Sequence, residues 1–504
     1  MKCGLLCLMV CLNGCSDAGQ EQEIFDLVIS GGRVMDPETE MDAIRHIGIR
    51  GGMVAKVSKV QLLGDETIDA TDLVVSPGFV DLHAHGQDVV SNRFQAMDGV
   101  TTALELEAGA FPIRQWYHRR SRALINYGAS VSHQAVRMHV LGGMLARSES
   151  DGTFSLGESG DDSLYRSATD EELDLLERTM RQELSAGALG FGFGLSYTAG
   201  AGHAEILRLF QLAGSQEVPS FVHLRSARDF PQGGRVGPFQ EVIANAAIAG
   251  AAVHVVHMNS TAGGAASEAL EMIRGARQHG IDITTESYPY TASASLIESP
   301  LFDGWNERSV ENYRSLEWVE TGERLTPETF DKYRRLGGWV IMHGRSEEIN
   351  EWIVSQPDVI VASDGIPFSE GRAHPRGAGT FARVLGFYVR ERQALSLMEA
   401  LRKMTLLPAQ RLEHVSPAMA CKGRIKVGCE ADLTIFDVDR ILDKASYDMP
   451  DEYSTGIEHV LVAGTSVVKE GMLVEGVKPG KPILSHFALS GDENESTQNE
   501  RESD

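Results

Sequence analysis

The sequence predicts an α/β protein in which a (β/α)8 barrel of the TIM type is joined to a small β-sandwich domain. Short apolar runs alternate with amphipathic helices over residues 77–415, which is typical of a barrel of parallel strands. Residues 15–76 and 416–485 instead alternate apolar and polar side chains in short runs, so both chain ends are expected to build the β domain. A doubly wound sheet is the alternative, but we see no glycine-rich phosphate loop opening a helix.

Composition and charge limit the possible classes of function. Of the 504 residues, 42% are hydrophobic and 23% are charged, which are the proportions of an ordinary globular protein. Asp and Glu outnumber Lys and Arg by 71 to 46, so the net charge is −25 and the pI is about 5.1. Because nucleic-acid binding requires the opposite sign of charge, that class is excluded.

The N-terminus predicts export and a lipid anchor. Residues 1–14 place one Lys before an apolar run that is too short to span a bilayer, and this is typical of a secretory signal peptide. The four residues that end in Cys15 resemble the lipobox of bacterial lipoproteins, in which the Cys is lipidated after cleavage. We therefore expect a protein tethered through Cys15 to the bacterial cell envelope, at the outer membrane and facing the periplasm. The anchor would be its only contact with the membrane.

Two further features concern the C-terminal part. Cys421 and Cys429 remain as thiols after cleavage, and they could pair in an oxidising periplasm, although burial without pairing is the favoured interpretation. Residues 486–504 are predicted to form a disordered acidic tail. From residue 490 onward this segment carries many carboxylates and no aromatic side chain, so it cannot bury enough apolar surface to fold.

The barrel region contains recognisable elements. Thr169 is predicted to cap a helix in which Glu172 completes a capping box, and Leu176 and Met180 lie on one face of that helix. The helix is expected to stop at Gly187. Further along the chain, buried strands are predicted at residues 220–222, 252–256, 281–284 and 359–361, with a helix at residues 267–278.

Polar side chains follow the buried strands of the predicted barrel. His83 and His85 lie on one face of the first strand because strand side chains repeat every two residues. His223, His257 and Asp364 each end a later apolar run. The chemistry of a barrel lies at the C-terminal ends of its strands, and imidazole and carboxylate are ligands that zinc prefers. The five residues therefore predict a zinc site.

Several segments around these residues carry recognisable motifs. They are residues 76–85, 98–102, 187–191, 221–225, 286–292, 363–365, 374–385, 423–426 and 431–433. Together they resemble the amidohydrolase superfamily, and within it the N-acyl-D-amino-acid deacylases (D-aminoacylases). The tyrosine-rich segment around Tyr288 and the His-Pro-Arg loop at residues 374–376 favour that family over dihydroorotases and hydantoinases. The resemblance covers nearly the whole mature chain.

The resemblance implies a metal site with one departure from the family pattern. The residues that match the family's metal positions are His83, His85, His223, His257 and Asp364. The family also places a metal-ligating Cys after its second strand, where this chain has Ala108. Glu107 is the candidate replacement, with Glu105 behind it, and both could instead be solvated or salt-bridged. No Lys ends the strand at residues 190–192, so a carbamylated lysine is not expected. One or two zinc ions are implied, and ligation by Glu107 would favour two.

The resemblance also implies contacts to the substrate. Tyr288 and Ser293 match the family residues that bind the substrate carboxylate. The family carries a Lys near them, but this chain has Asn259 at that position, which removes a charge-assisted hydrogen bond. Arg225 or Arg376 could compensate, and both could equally be structural ion-pair partners. The substitution leaves the preference between D- and L-amino acids open.

The activity that the resemblance implies is hydrolysis of the amide bond of small-molecule N-acyl-D-amino acids, a non-peptide C–N bond. The metal would lower the pKa of a water molecule and polarise the scissile carbonyl. Asp364 would take the proton of that water and deliver it to the leaving amine, and Tyr197 would hydrogen-bond the oxyanion. Residues 302–338, rich in aromatic side chains, would form either a lid over the site or a surface elaboration.

Two alternatives stay open. One is an amidohydrolase that acts on a cyclic amide or a dipeptide, of the dihydroorotase, hydantoinase or isoaspartyl dipeptidase type. The other is a lipid-anchored binding protein that has lost catalysis. The absence of the family's Cys and Lys motivates this last alternative, and the intact set of histidines and Asp364 argues against it.

Overall fold

The computed structural model describes residues 23–142, 161–230, 232 and 234–488. Cys15 and the predicted signal peptide at residues 1–14 lie outside the described residues. The described strands are β1 (Ile24–Asp36), β2 (Met41–Arg50), β3 (Met53–Ser58), β4 (Leu63–Asp69), β5 (Val74–Pro77), β6 (Phe79–Asp81), β7 (Val100–Ala110), β8 (Asn126–Ser132), β9 (Phe191–Gly194), β10 (Ser220–His223), β11 (Val253–Val255), β12 (Ile283–Ser287), β13 (Ser293–Leu296), β14 (Leu316–Trp318), β15 (Trp339–Met342), β16 (Val359–Val361), β17 (Leu433–Phe436), β18 (Ile457–Val462), β19 (Thr465–Lys469) and β20 (Met472–Leu473).

Helices connect most of the barrel strands, and short 3-10 turns occur between them. The described α-helices are α1 (Val89–Met97), α2 (Ile113–Arg119), α3 (His133–Gly142), α4 (Asp162–Tyr165), α5 (Asp170–Leu184), α6 (His203–Ser215), α7 (Gly237–Ala249), α8 (Met258–Thr261), α9 (Ala266–Gln278), α10 (Val310–Arg314), α11 (Pro327–Leu336), α12 (Glu347–Ser355), α13 (Arg376–Arg383), α14 (Leu397–Met404) and α15 (Leu406–Leu412). A π-helical segment, Val384–Glu391, continues α13. Within the described ranges, no helix is both long and apolar enough to cross a membrane.

Eight parallel strands form the predicted barrel. Their order is β6-β7-β8-β9-β10-β11-β12-β16, and each neighbouring pair is parallel. The ring closes just beyond the two end strands, where the Asp364 amide donates to the His83 carbonyl oxygen at 2.7 Å and Ala84 forms a parallel bridge with Gly365. Closure therefore brings the residues that follow β6 and β16 side by side, and the fold class is confirmed.

Both chain ends contribute to one mixed sheet of nine strands, which is the predicted β domain. β1 pairs antiparallel with β2, while its first half pairs parallel with β4 and its second half parallel with β5. β5 then pairs with β17 from the C-terminal part. Buried side chains from both parts, including Val34, Ile47, Val75, Leu433 and Leu461, pack into one apolar core.

Of the predictions for single elements, the capping box is confirmed and one strand is shifted along the chain. α5 has the predicted capping box, in which the Thr169 side chain accepts from the Glu172 amide, and Leu176 and Met180 are buried. The strand predicted at residues 281–284 lies further on, in β12, because the segment that pairs with β11 and β16 runs from Ile283 to Ser287.

Two expectations about the C-terminal part need correction. Cys421 and Cys429 are joined by a disulfide with a Cα–Cα distance of 5.1 Å, so burial as separate thiols was the wrong interpretation. The Cys429 amide donates to the Lys426 carbonyl oxygen, and this turn brings the two cysteines together. The tail predicted from residue 486 starts too early, because the His486 amide donates to the Val415 carbonyl oxygen and Phe487 packs on the barrel core. Residues 489–504 lie outside the described residues.

A small unit is inserted between the last two barrel strands, and we call residues 293–342 the insert. β13, β15 and β14 form its three-stranded antiparallel sheet. Its own apolar cluster includes Phe302, Tyr313, Trp318, Phe330 and Tyr333. The Trp318 and Tyr333 rings stack with centroids 4.3 Å apart. The segment predicted as either a lid or an elaboration therefore has a hydrophobic core separate from that of the barrel.

Candidate metal centre

All six predicted metal ligands converge where the barrel strands end. Their ligand atoms fall into two groups, each within 4.8 Å: His83, His85 and Asp364 form one, and Glu107, His223 and His257 form the other. Five of these residues are buried, and His223 is partly buried. The predicted constellation is thus assembled by the barrel strands rather than scattered over the surface.

Glu107 lies between the two groups. Its Oε2 atom is 3.4 Å from Nε2 of both His83 and His85, and Oδ1 of Asp364 is also 3.4 Å from both nitrogens. Its Oε1 atom is 2.8 Å from Nδ1 of His223. Ligands about 2.1 Å from a tetrahedral zinc ion lie about 3.4 Å from one another, so the 3.4 Å separations of Glu107 and Asp364 from His83 and His85 fit a shared ion. Glu107 is placed to bridge two ions.

A bulge in β7 explains how Glu107 reaches the centre. The pairing between β7 and β8 breaks after Glu105 and resumes at Ala110, so residues 106–109 lie opposite a single residue of β8. A bulge of this kind redirects side chains and is common beside active sites. The neighbouring strand makes room with Gly192, because a Cβ there would lie 2.4 Å from the Glu107 carbonyl oxygen. Sequence spacing alone did not reveal this bulge.

The backbone is strained at two of the ligands. His257 has φ 34° and Asp364 has φ 52°, and both values lie in the left-handed region that residues with a Cβ seldom adopt. Such conformations cost free energy and occur most often at functional sites. Here they turn both side chains toward the centre directly after β11 and β16.

Two further carboxylates orient the ligand histidines from behind. Glu286 Oε1 is 2.5 Å from His83 Nδ1, and its Oε2 is 2.9 Å from Nε2 of the buried His254. Glu105 is 3.0 Å from His85 Nδ1. These bonds leave Nε2 of both ligands to face the centre, which is how carboxylates position metal-binding imidazoles. Glu105 is therefore a support for His85 and belongs to neither ligand group. The sequence analysis gave Glu286 no role, although a carboxylate inside a buried strand was a usable signal.

Replacing Glu286 by Gln should weaken metal binding without removing a ligand. Loss of such an outer carboxylate lowers metal affinity by about 10- to 100-fold, since the imidazole is less basic and less well oriented. Competition against a chelator of known affinity would measure the change. Glu183→Gln is the matched control, because this carboxylate accepts from the Ile113 amide on α2 and belongs to neither ligand group. Unaltered affinity in Glu286→Gln would contradict the role of this residue.

The charges of the centre favour a bound cation. Burial opposes protonation of His83 and His85, but nearby carboxylates outweigh it, so the pKa of His83 is well above its usual value and that of His85 is raised to about 10. The pKa of the Glu107 carboxyl group is shifted in the opposite direction. Burial alone would raise the pKa of Glu107, yet His223 and His83 hold it well below its usual value. A divalent ion supplies the positive charge that this buried arrangement stabilises.

A cavity of about 400 Å³ opens onto the centre, and we call it the central cavity. Tyr197, Ser293 and Arg225 line it, as predicted for residues that touch a substrate. Tyr288 and Arg376 are buried and do not line it. The insert contributes Leu301, Trp305, Arg308, Trp339 and Met342 to its wall, so the insert forms part of the site.

Both predicted arginines already have carboxylate partners. Arg225 Nε lies 3.1 Å from each carboxylate oxygen of Glu241, and Nη2 of Arg376 is 2.9 Å from Oδ1 of Asp364. The structure therefore places them as ion-pair partners, which was the second of the two predicted roles. Asn259 points away from the central cavity, because its amide donates to the Tyr288 carbonyl oxygen and to Asn350.

Three other arginines line the central cavity, and the sequence analysis did not single them out. Arg228, Arg235 and Arg308 are exposed, and none forms a salt bridge within the part of the chain that the structure describes. Arg228 donates to the carbonyl oxygens of Asp303 at 2.6 Å and Leu301 at 2.8 Å, which fastens its loop to the insert. The acidic residues that line this cavity are the metal-centre residues Glu107 and Asp364. We call the three residues the arginine rim.

Known proteins share this architecture. Residues 66–468 match the amidohydrolase family. An N-acyl-D-glutamate deacylase from Alcaligenes xylosoxydans xylosoxydans is 29% identical over 93% of this chain and 99% of its own. The crystal structure of an N-acyl-D-glutamate deacylase from Bordetella bronchiseptica, complexed with zinc and a phosphonate mimic of the tetrahedral intermediate, is 25% identical. It superposes with a TM-score of 0.76 and covers 92% of this chain and 100% of its own. A D-aminoacylase crystal structure, 23% identical, has a TM-score of 0.75 over 91% of this chain and 99% of its own.

Proposed function

Because the chain belongs to the amidohydrolase family, we propose that it is a zinc-dependent enzyme that hydrolyses the amide bond of N-acyl-D-amino acids. The observation that carries the proposal is the convergence of His83, His85, His223 and His257 with Glu107 and Asp364, all of which except the buried His83 line one cavity. Deacylases of N-acyl-D-amino acids are similar to this chain over nearly its whole length. A binding protein without catalysis is not favoured, since the relatives over nearly the whole chain are deacylases.

Each group of the centre has a defined task. The two ligand groups would hold one or two zinc ions, which would supply Lewis-acid chemistry at the scissile carbonyl and at a water molecule. Asp364 accepts the proton of the attacking water and returns it to the leaving nitrogen. Its pKa is lowered well below the usual value, because Arg376 and His83 outweigh the effect of burial, so the side chain is a carboxylate at neutral pH.

Tyr197 is placed to stabilise the oxyanion. Burial and the nearby Glu107 carboxylate raise the pKa of its hydroxyl well above the usual value, so the group keeps its proton. Ser295 Oγ donates to the Tyr197 oxygen at 3.3 Å, which leaves the phenolic proton free to point into the central cavity. A neutral donor held in a buried site binds the carbonyl oxygen more strongly as negative charge develops on it.

The proposal is tested by hydrolysis of paired N-acetyl-D- and N-acetyl-L-amino acids by the zinc-loaded enzyme. We expect turnover of the D series, measured as release of the free amine, with much lower rates for the L series. Hydantoin, dihydroorotate and an isoaspartyl dipeptide complete the panel. Turnover of one of these instead, with none of any N-acetyl-D-amino acid, would show that the site serves a different amide.

The arginine rim supports a preference for acidic substrates. Arg235 and Arg308 present guanidinium groups to the central cavity without a carboxylate partner in the described ranges. Guanidinium groups bind carboxylates with two parallel hydrogen bonds, and a partner supplied by the substrate would neutralise them. The relative that acts on N-acyl-D-glutamate is consistent with this preference. We infer that the substrate carries a side-chain carboxylate in addition to its α-carboxylate.

Arg308→Gln and Arg235→Gln should therefore lower kcat/KM for N-acetyl-D-glutamate by about tenfold or more each, chiefly through KM, since one charge-assisted bond is lost. The same variants should leave N-acetyl-D-glutamine unaffected, because it has the same shape without the side-chain charge. Arg335→Gln, an exposed change elsewhere on the insert, is the control. Equal losses on both substrates would contradict recognition of the side-chain carboxylate.

We further propose that the mature protein is lipidated at Cys15 and faces the periplasm. The support is the apolar run that precedes Cys15, together with the disulfide between Cys421 and Cys429, since disulfides persist in oxidising compartments. Cys15→Ala should release the protein from the membrane fraction and abolish labelling by radioactive palmitate. A variant that stays in the membrane fraction as the wild type does would refute lipidation.

A further inference from the structure

A second cavity lies beside the central one. Its volume is about 810 Å³, and Trp339 belongs to the walls of both, so we call it the adjacent cavity. The Trp339 ring lies 6.4 Å from the ring of the metal-centre residue His85, with an angle of 29° between the ring planes. None of the predicted site residues lines the adjacent cavity, and the proposed amide hydrolysis makes no use of it.

One part of its wall is apolar and open to solvent. Val89 and Val90, the first two residues of α1, are 71% and 49% exposed. Phe368 lies beside them and stacks on Phe94 with the ring centroids 4.0 Å apart. These exposed side chains offer the apolar part of a ligand a contact surface that is otherwise in water.

Another part of the wall is cationic. Arg119, Arg120, Arg122 and Arg372 line the adjacent cavity, and Asp88 and Glu320 are its acidic residues. The Asp88 carboxylate is already engaged, since it accepts from the Val90 and Ser91 amides and from the Ser91 hydroxyl at 2.6 to 2.9 Å. In the described ranges, none of the residues Arg120, Arg122 and Arg372 forms a salt bridge.

Arg120 is the partly desolvated member of this cationic wall. Its guanidinium packs over the Trp116 ring at 4.1 Å and donates to the Trp116 carbonyl oxygen, while its buried Nε has no partner among the described residues. Burial lowers the pKa of Arg120 to about 10. An anion beside it would compensate a desolvated charge, on a chain whose net charge of −25 otherwise disfavours anions.

We propose that the adjacent cavity binds a single-chain fatty-acid anion, with its chain along Val89, Val90 and Phe368 and its carboxylate at Arg120, Arg122 and Arg372. An apolar wall next to unpaired guanidinium groups matches an amphiphile that has one charged end. The volume suits one small ligand and not the two chains of a phospholipid, since sites for drug-sized ligands measure about 300 to 1,000 Å³. The inference concerns a second binding site and does not depend on the proposed amide hydrolysis.

Calorimetric titration of the zinc-loaded protein with sodium decanoate, below its micelle concentration, tests the proposal. We expect saturable binding that weakens about tenfold or more in the Arg122→Gln/Arg372→Gln double variant, because charge-assisted bonds are lost. Val89→Ser and Val90→Ser should weaken decanoate binding and leave hexanoate, which has a shorter chain, less affected. Both valines are exposed, so the variants should fold normally. Arg314→Gln, on α10 of the insert, is the control for charge.

Three outcomes would overturn the proposal. Equal affinity for decanoate and for uncharged decanol would show that the arginines play no part. Binding that the arginine variants leave unchanged, but that competes with substrate, would place decanoate on the metal centre instead. If decanoate does not bind while vesicles of phosphatidylglycerol bind through the same arginines, the surface docks on a membrane. The first and third results are readable even if the protein hydrolyses no N-acyl-D-amino acid.

Discussion

Asp364→Asn should lose amide hydrolysis by about 10³- to 10⁴-fold in kcat while the protein still binds zinc through its other ligands. The substitution keeps the size of the side chain and removes the group that accepts the proton of the attacking water. It also leaves Arg376 without its carboxylate, because Nη2 of that buried arginine lies 2.9 Å from Oδ1 of Asp364. Single-turnover kinetics on an N-acetyl-D-amino acid, alongside metal analysis of the same sample, would measure both effects.

This experiment separates the two roles assigned to Asp364, which are proton acceptor and metal ligand. If the variant holds wild-type zinc and fails to turn over, the missing proton acceptor explains the loss. If activity returns with excess zinc, Asp364 acts as a ligand only, and the proposed proton transfer is wrong. Asp331→Asn on α11 is the matched control, since its carboxylate is exposed and belongs to the insert.

Glu107→Ala should remove the bridge between the two ligand groups, and it should have the largest effect on metal content of any single change. Its carboxylate faces His83 and His85 with one oxygen and His223 with the other. Metal analysis should show loss of at least one ion. Activity should fall by more than the cost of losing an outer carboxylate, which is about 10- to 100-fold. Thermal unfolding should also occur at lower temperature, because the buried histidines lose a partner.

Glu105→Gln is the comparison that makes this result specific. Glu105 lies two residues away on the same strand, is equally buried, and contacts His85 from the side opposite to the metal. We expect it to weaken metal binding modestly and to leave the number of bound ions unchanged at saturating zinc. If the two variants behave alike, the bridging position of Glu107 is wrong.

The ligand histidines could be predicted from sequence, because each ends an apolar run and parallel strands bring their ends together. Glu107 was predicted from the resemblance, but its position depends on the bulge in β7 and on the space left by Gly192. A bulge shifts the register by a few residues and leaves no mark in the amino-acid composition. The direction in which it turns the Glu107 side chain could therefore not be predicted. The ion pairs of Arg225 and Arg376 could not be predicted either, because their partners Glu241 and Asp364 lie in other parts of the chain.

Other features of the site could not be predicted from the residues that end the barrel strands. Arg308 and Trp339 come from the insert, and their contact with the central cavity depends on how that unit packs on the barrel. The disulfide between Cys421 and Cys429 requires a turn whose shape the spacing of the two residues does not specify. Sequence patterns identified the chemistry of the centre, whereas the shape of the space above it depended on tertiary packing.

The separate hydrophobic core of the insert has a consequence for how this protein changes over evolutionary time. Every metal ligand belongs to the barrel, while Leu301, Trp305, Arg308, Trp339 and Met342 belong to a unit stabilised by its own aromatic cluster. Mutations in the insert can therefore alter which molecules fit above the metals without disturbing the groups that perform hydrolysis. Part of the substrate range is therefore inherited separately from the metal ligands, so new substrates can be acquired by reshaping the outer part of the insert.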